Sequence, residues 1–301
     1  MKAILSLSVV CAATCAVSLS HGAQDSYARP DLLLDPISLA RPKAAAQFLV
    51  LDARDQKSFN EGRIPRARWV DAAAWAKAFK DGKDAEGWGK RIGQLGVGPD
   101  SKVVVYDAVS SKDAARMWWI LRYWGVKDVR LLNGGWKGWQ SAKLPVEKEK
   151  PQAFKPATFA AAALPKWLVI KSQVLDSLKD KQMQIVDARS EKEFCGLDPL
   201  ENKRAGAIPG AKHLDWADLI DKETQRFKGP GQLRKLFAEA AIDLKAPTAT
   251  HCQSGGRASV TAFAMELMGA ESVGNYYAGW AEWSKAEDAP LVKNEPKKKA
   301  K

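Results

Sequence analysis

The chain reads as an α/β protein of two similar halves, each a parallel sheet with helices on both faces. Three observations carry this. A gapless repeat relates Trp124-Gly-Val-Lys-Asp-Val-Arg-Leu-Leu-Asn-Gly-Gly-Trp-Lys-Gly-Trp139 to Met268-Gly-Ala-Glu-Ser-Val-Gly-Asn-Tyr-Tyr-Ala-Gly-Trp-Ala-Glu-Trp283 at an offset of 144 positions, Trp136 to Trp280. Each half has a short apolar run ending in Asp-Ala-Arg, at residues 52–54 and 187–189. Each half also follows its second apolar run with a helical stretch that a glycine stops.

The elements follow in chain order. Residues 47–51 and 184–186 are the first strand candidates, 102–106 and 247–251 the second, 129–132 and 273–277 the third. The helical stretches are 113–124, stopped by Gly125, and 257–268, stopped by Gly269. Ile64-Pro65 falls on Ile208-Pro209 at the same 144 offset, whereas Asp52 and Asp187 are 135 apart. The second half therefore carries nine extra residues (144 against 135) between Phe194 and Ile208. Alternating strands and helices imply parallel sheets. The expected divisions are a signal at 1–23, a first domain at 35–144, a linker at 145–165, a second domain at 166–290 and a basic tail at 291–301. The linker contains four prolines (145, 151, 156 and 165) and an alanine run. The twelve tryptophans are expected mostly as core and interface anchors.

Composition narrows the function classes. Over 301 residues, 46% are apolar and 27% charged, an ordinary globular balance. The net charge of +12 is partly local to Lys297-Lys298-Lys299-Ala300-Lys301, and the remaining excess favours small anionic substrates. No stripe of basic and aromatic residues suggests nucleic acid. At the N-terminus, Lys2, an apolar run over 3–19 and small residues at Ser20, Gly22 and Ala23 follow the order of a secretory signal. No other stretch approaches the ~20 apolar residues that cross a bilayer. The expectation is an exported, periplasmic or secreted protein without a membrane anchor. Removal of the signal leaves Cys195 and Cys252, as one disulfide or as reactive thiols.

The chemistry is concentrated at His251-Cys252-Gln253-Ser254-Gly255-Gly256-Arg257. An apolar strand ends at Cys252, and a glycine-containing turn leads directly into a helix. First-turn N–H groups lack intrahelical acceptors and form an anion cradle. Gly255 and Gly256 let the chain curl so that these groups converge. A cysteine there is favoured as thiolate, the nucleophilic form. His251 adjoins it on a strand and points to the other face, so activation by the loop is expected rather than a Cys–His dyad.

This loop resembles the active-site loop of rhodaneses, with a cysteine, four residues and an arginine before a helix. The Asp-Ala-Arg strand ends, the Ile-Pro turns and the Gly-Trp signatures resemble tandem-domain sulfurtransferases, over roughly residues 45–140 and 180–285. The resemblance implies two rhodanese-like domains and a sulfurtransferase of the thiosulfate or 3-mercaptopyruvate type. It further implies a persulfide on Cys252, formed from a small anionic sulfur donor and discharged to a thiol or cyanide. Gln253, Ser254, Gly255, Gly256 and Arg257 carry over as the loop that holds the persulfide and the donor. Ser254 matches the mercaptopyruvate type, whereas Arg257 stands where that type has threonine. Glu193 stands where it has a cleft arginine, so Arg204, in the extra residues, is the candidate replacement. Arg189 and Asp187 are expected as a structural ion pair supporting the loop, with Arg189 as the alternative second candidate for donor contact. No cofactor and no metal are implied, and a tandem pseudo-dimer is expected to be monomeric. In the first half the 144 offset sets Ala108 opposite Cys252 and Asp113 opposite Arg257, so that half is expected to be inactive.

Other readings remain at this point. Cys252 as a structural cysteine leaves the Gly-Gly-Arg helix start unexplained. Phosphatase loops hold one residue more between Cys and Arg than the four here. A zinc site from Cys195, Cys252, His213 and His251 lacks ligand spacing. Cys195 is a bystander or a second thiol that receives sulfur. A non-catalytic binding or redox-sensing module is the alternative function.

Overall fold

A computed structural model describes residues 26–79 and 82–296. The signal at 1–23 and the lysine run at 297–301 lie outside the described residues.

The first half contains strands β1 (Leu33–Leu34), β2 (Phe48–Asp52), β3 (Arg68–Trp69), β4 (Lys102–Tyr106) and β5 (Asp128–Leu132). Its helices are α1 (Pro36–Ala40), α2 (Pro42–Gln47), α3 (Gln56–Glu61), α4 (Ala72–Ala78), α5 (Ala85–Gln94), α6 (Lys112–Tyr123) and α7 (Gly135–Ser141). The second half contains β6 (Gln184–Asp187), β7 (Lys212–His213), β8 (Thr248–His251) and β9 (Val273–Tyr276). Its helices are α8 (Lys171–Asp180), α9 (Glu191–Phe194), α10 (Pro230–Glu239), α11 (Gly256–Leu267) and α12 (Gly279–Trp283). The sheets run β1-β5-β4-β2-β3 and β7-β6-β8-β9, with every strand pair parallel. Both faces are covered. Val103 and Val105 of β4 join one core, Val104 and Tyr106 the other, which is why that strand reads as a continuous apolar run.

One core cluster spans both halves, because α6 lies against α11. Trp118 meets Phe263 edge-on at 5.0 Å, and Trp119 stacks on Tyr277 at 4.9 Å. Every residue of α11 except Arg257 is buried. A helix apolar on all sides needs cover all round, and the first half supplies it. The connecting segment is not loose: Ala157 N donates to Gly93 O (2.9 Å), Ala162 N to Trp124 O (3.2 Å) and Leu164 N to Tyr123 O (2.8 Å). Side chains at Gly89 and Gly93, one turn apart on α5, would collide with this segment's backbone. At the other end Val292, read from sequence as tail, pairs with Ala207.

The three repeated signatures meet in space. Arg54 pairs with Asp52 (Nη2–Oδ2, 2.6 Å), donates to Gly62 O just before Ile64-Pro65, and lies 4.1 Å over the Trp136 ring. Arg189 does the same with Asp187 (2.6 Å), Gly206 O and Trp280 (4.3 Å). His251, fully buried, places Nε2 3.4 Å from Asp187. Burial alone would raise the Asp187 carboxyl, but its cationic neighbours hold it at about 2. Burial lowers His251 from 6.5 to about 4 despite Asp187, so the ring is neutral near pH 7.

Two outcomes follow. Replacing Arg189 by Met leaves the buried Asp187 charge without its guanidinium and the Gly206 carbonyl without its side-chain donor, and should cost about 3–5 kcal/mol in urea unfolding; a loss below ~1 kcal/mol would contradict this account of the node. A folded state that refuses a proton the unfolded chain accepts loses stability as pH falls from 6.5 towards 4. Between pH 7 and 4 the wild type should therefore lose on the order of 3 kcal/mol relative to His251→Gln. Parallel stability curves would refute it.

Candidate active site

Cys252 follows the end of β8, and its carbonyl accepts from Trp280 N at 2.8 Å. A side chain at Gly279 would strike that carbonyl, so glycine is required before Trp280. Residues 253–255 then turn into α11 through Gly255, whose φ of +82° suits glycine; a side chain there would strike the Tyr277 ring. The Gly255 carbonyl accepts from Ser259 N (2.9 Å), Ser259 Oγ (2.9 Å) and Asn275 Nδ2 (3.0 Å), which fixes the turn. Among the described residues no protein acceptor takes the N–H groups of residues 253–258, the orphan donors of a helix start.

Cys252 is 2% exposed and packs with Ala188, Ala258 and Trp216. Its neighbour Ser254 is exposed and forms part of the wall of a cleft of about 1060 Å³ between the halves. Tyr277 and Ala278 contribute from the second half; Trp69, Phe79, Lys77, Lys112 and Arg116 contribute from the first. Arg116 Nη1 donates to Ser254 O (3.0 Å) and Tyr277 Oη (2.7 Å). Gln253 exchanges two hydrogen bonds with Asn202 (3.1 and 2.7 Å), so the extra residues of the second half brace the loop.

The arginines expected at the donor behave differently. Arg257 is bound by both Glu193 oxygens (2.6 and 2.8 Å). Burial opposes its charge, but the Glu193 bonds more than offset this, and the neighbouring Cys252 sulfur adds to the effect. Arg189 is buried in the node with Asp187. Arg204 donates to the carbonyls of Ser284 (3.0 Å), Ala289 (2.9 Å), Trp283 (2.8 Å) and Ala286, satisfying the end of α12. Arg189 forms the structural ion pair expected with Asp187, and the alternatives of donor contact by Arg189 and by Arg204 are corrected: both guanidinium groups are held by the protein's own acceptors. Asp187 does support Arg189. Cys195 is buried, both cysteines are free thiols, and burial followed by the Glu191 charge pushes the Cys195 thiol up. His213 Nε2 is engaged with Arg189 O at 2.8 Å. No cluster of three metal-ligating side chains occurs among the described residues, nor any helix long and apolar enough to cross a membrane.

The first half corrects one correspondence. Asp52 pairs with Tyr106 as Asp187 pairs with His251, and Trp136 N donates to Asp107 O (2.9 Å) as Trp280 N does to Cys252 O. Asp107, not Ala108, is therefore the counterpart of Cys252. The first loop is one residue longer before its helix, which displaced the gapless match. The Asp107 carboxylate accepts from Asp113 N (2.9 Å) and Ala114 N (3.0 Å), the counterparts of Arg257 and Ala258. Burial pushes that carboxyl up to about 7, although these amides favour its charge. Sequence reasoning missed Asp107, Arg116 and Asn202; a lone cation beside Met117-Trp118-Trp119 was the available signal for Arg116.

Comparison with known proteins agrees with this geometry. The model of the rhodanese-like domain matches residues 35–142 and 171–286. The chain is 31% identical to human 3-mercaptopyruvate sulfurtransferase, covering 82% of this chain and 88% of that protein. It is 32% identical to a thiosulfate sulfurtransferase of Corynebacterium glutamicum, covering 90% and 93%. Among solved structures, SseA from Escherichia coli, described as a 3-mercaptopyruvate enzyme with the rhodanese fold, superposes with a TM-score of 0.72 at 26% identity, covering 83% and 98%. The anaerobic ergothioneine biosynthesis enzyme of Chlorobium limicola superposes at 0.81 and 23% identity, covering 90% of this chain and 72% of that one, a likeness of fold. With both halves matched by the same domain model and relatives of this identity spanning most of its length, the chain belongs to the rhodanese family of sulfurtransferases.

Proposed function

We propose that the chain moves a sulfane sulfur from 3-mercaptopyruvate or thiosulfate to a thiol or cyanide through a persulfide on Cys252. The observation that carries this is Asp107. At the position of Cys252 in the other half, a carboxyl side chain accepts from the first-turn amides of the following helix. The same backbone design in the second half leaves its equivalent amides without acceptors, and Cys252 stands at the position of Asp107.

The Cys252 thiolate attacks the outer sulfur of the donor. With thiosulfate the S–S bond breaks and sulfite leaves; with 3-mercaptopyruvate the C–S bond breaks and the carbon takes the former thiol proton, giving pyruvate. Either way the persulfide carries the negative charge, which the loop amides stabilise. An acceptor thiolate or cyanide then attacks the outer sulfur, and Cys252 departs as thiolate. Near-burial keeps water from the persulfide. Ser254 on the cleft wall favours 3-mercaptopyruvate over thiosulfate. We also propose export, resting on the order of Lys2, the apolar run and Ala23, and a monomer.

A second reading, a module that binds without turnover, has the 2% exposure of Cys252 in its favour. Intact mass separates the two. Donor treatment should add one sulfur, about 32 Da, to the wild type, lost on adding cyanide and absent in Cys252→Ser, because only the thiolate reacts. No gain with either donor would leave the binding module. Turnover should be faster with 3-mercaptopyruvate, and a strong thiosulfate preference would reverse that assignment. For export, the protein recovered from the producing cell should begin near residue 23 or 24 and fractionate outside the cytoplasm; an intact Met1 form retained inside would end the proposal.

A further inference from the structure

Among the described residues, the second half has no free arginine to meet an anionic donor beside its cysteine loop. Arg257 is bound by Glu193, Arg189 by Asp187 and Gly206 O, and Arg204 by four carbonyls. The guanidinium that reaches the loop comes from α6 of the half without a cysteine.

Arg116 uses Nη1 on Ser254 O and Tyr277 Oη, while its Nε is buried without an acceptor. Its Nη2 lies over Gly256, where a side chain would collide with it. No carboxylate comes within ion-pairing distance of it among the described residues. Of the other carboxylates on the same cleft, Asp113 makes no ion pair with Arg116, and Asp55 and Asp71 are taken up in capping α3 and α4 through Ser58 N (2.9 Å) and Ala74 N (2.8 Å). Arg116 thus stands against the N-terminus of α11, a twelve-residue helix whose positive end it repels. Two positive groups packed against one another on the wall of a cleft, each with unmet donors, call for an anion beside them on that wall. Tyr277, stacked on Trp119 and 4.8 Å from Phe79, fixes the guanidinium in that place.

We propose that Arg116 binds the carboxylate or sulfonate-like end of the sulfur donor, so that the cysteine-free half supplies the cleft's selectivity for anionic donors. The inference rests on sulfur transfer at Cys252, with the donor's reacting sulfur turned towards that residue and its anionic end towards α6.

The test uses the full chain carrying Cys252→Ser, in which binding is read without turnover. Calorimetric titration with thiosulfate and with 3-mercaptopyruvate should show binding that Arg116→Met weakens about tenfold or more, the loss of a charge-assisted hydrogen bond. Arg116→Lys should fall between, since a point charge does not replace the planar fork. With Cys252 intact, the KM for donor should rise by a similar factor, while cyanide discharge of preformed persulfide stays within about twofold because that step involves no bound donor. Unchanged donor affinity in a cooperatively folding Arg116→Met overturns the proposal, as does the absence of donor binding to the Cys252→Ser chain. If the methionine variant does not fold, the lysine variant decides: unaltered affinity there overturns it. A wild type that binds donor through Arg116 yet gains no sulfur would sink the transfer reading alone.

Discussion

The buried pair of Asp187 and Arg189, lying on the face of Trp280, is the constraint on which the rest of the cysteine-bearing half depends. It ties the end of β6 to the carbonyl of Gly206 and to α12. α12 in turn binds the Cys252 carbonyl through Trp280 N. The cysteine thus owes its position to a chain of contacts that begins on the neighbouring strand. Removing one member of such a pair strands a charge in a low-dielectric interior, so its members belong together. Asp52, Arg54 and Trp136 repeat the arrangement, which explains why the same three signatures recur in one order in both halves.

This is also why so much of the fold was legible. Asp-Ala-Arg, Ile-Pro and Gly-Trp are local strings, but each is one side of the same contact. The β4 run and the α11 sequence, apolar on all faces, announced burial on both sides. Local strings carried less about the site. The one-residue difference between the Cys252 and Asp107 loops hid their equivalence, since a gapless match has no means of seeing where hydrogen bonds fall. Arg204 and Arg257 read as free cations because nothing local predicts a partner: Glu193 lies 64 residues from Arg257, and the carbonyls that hold Arg204 are some 80 residues away. Arg116 belongs to the same class, a cation of one half whose acceptors, Ser254 and Tyr277, lie in the other.

The cysteine-free half is more than a remnant. It covers α11, forms one wall of the cleft, and fills its own cradle with Asp107. A carboxyl titrating near 7 occupies the space from which a sulfur would react. That occupant satisfies the amides internally, so the first cradle has no call for an outside anion.

The strap of residues 145–164 has a mechanical consequence. It is hydrogen-bonded along α5 and to the end of α6, and α6 and α11 share one apolar core across the seam. The two halves therefore behave as a vice set to one gap, not as jaws that shut on their substrate. For the transfer proposed at Cys252, an aperture of fixed width selects donors by length and fit rather than by closure.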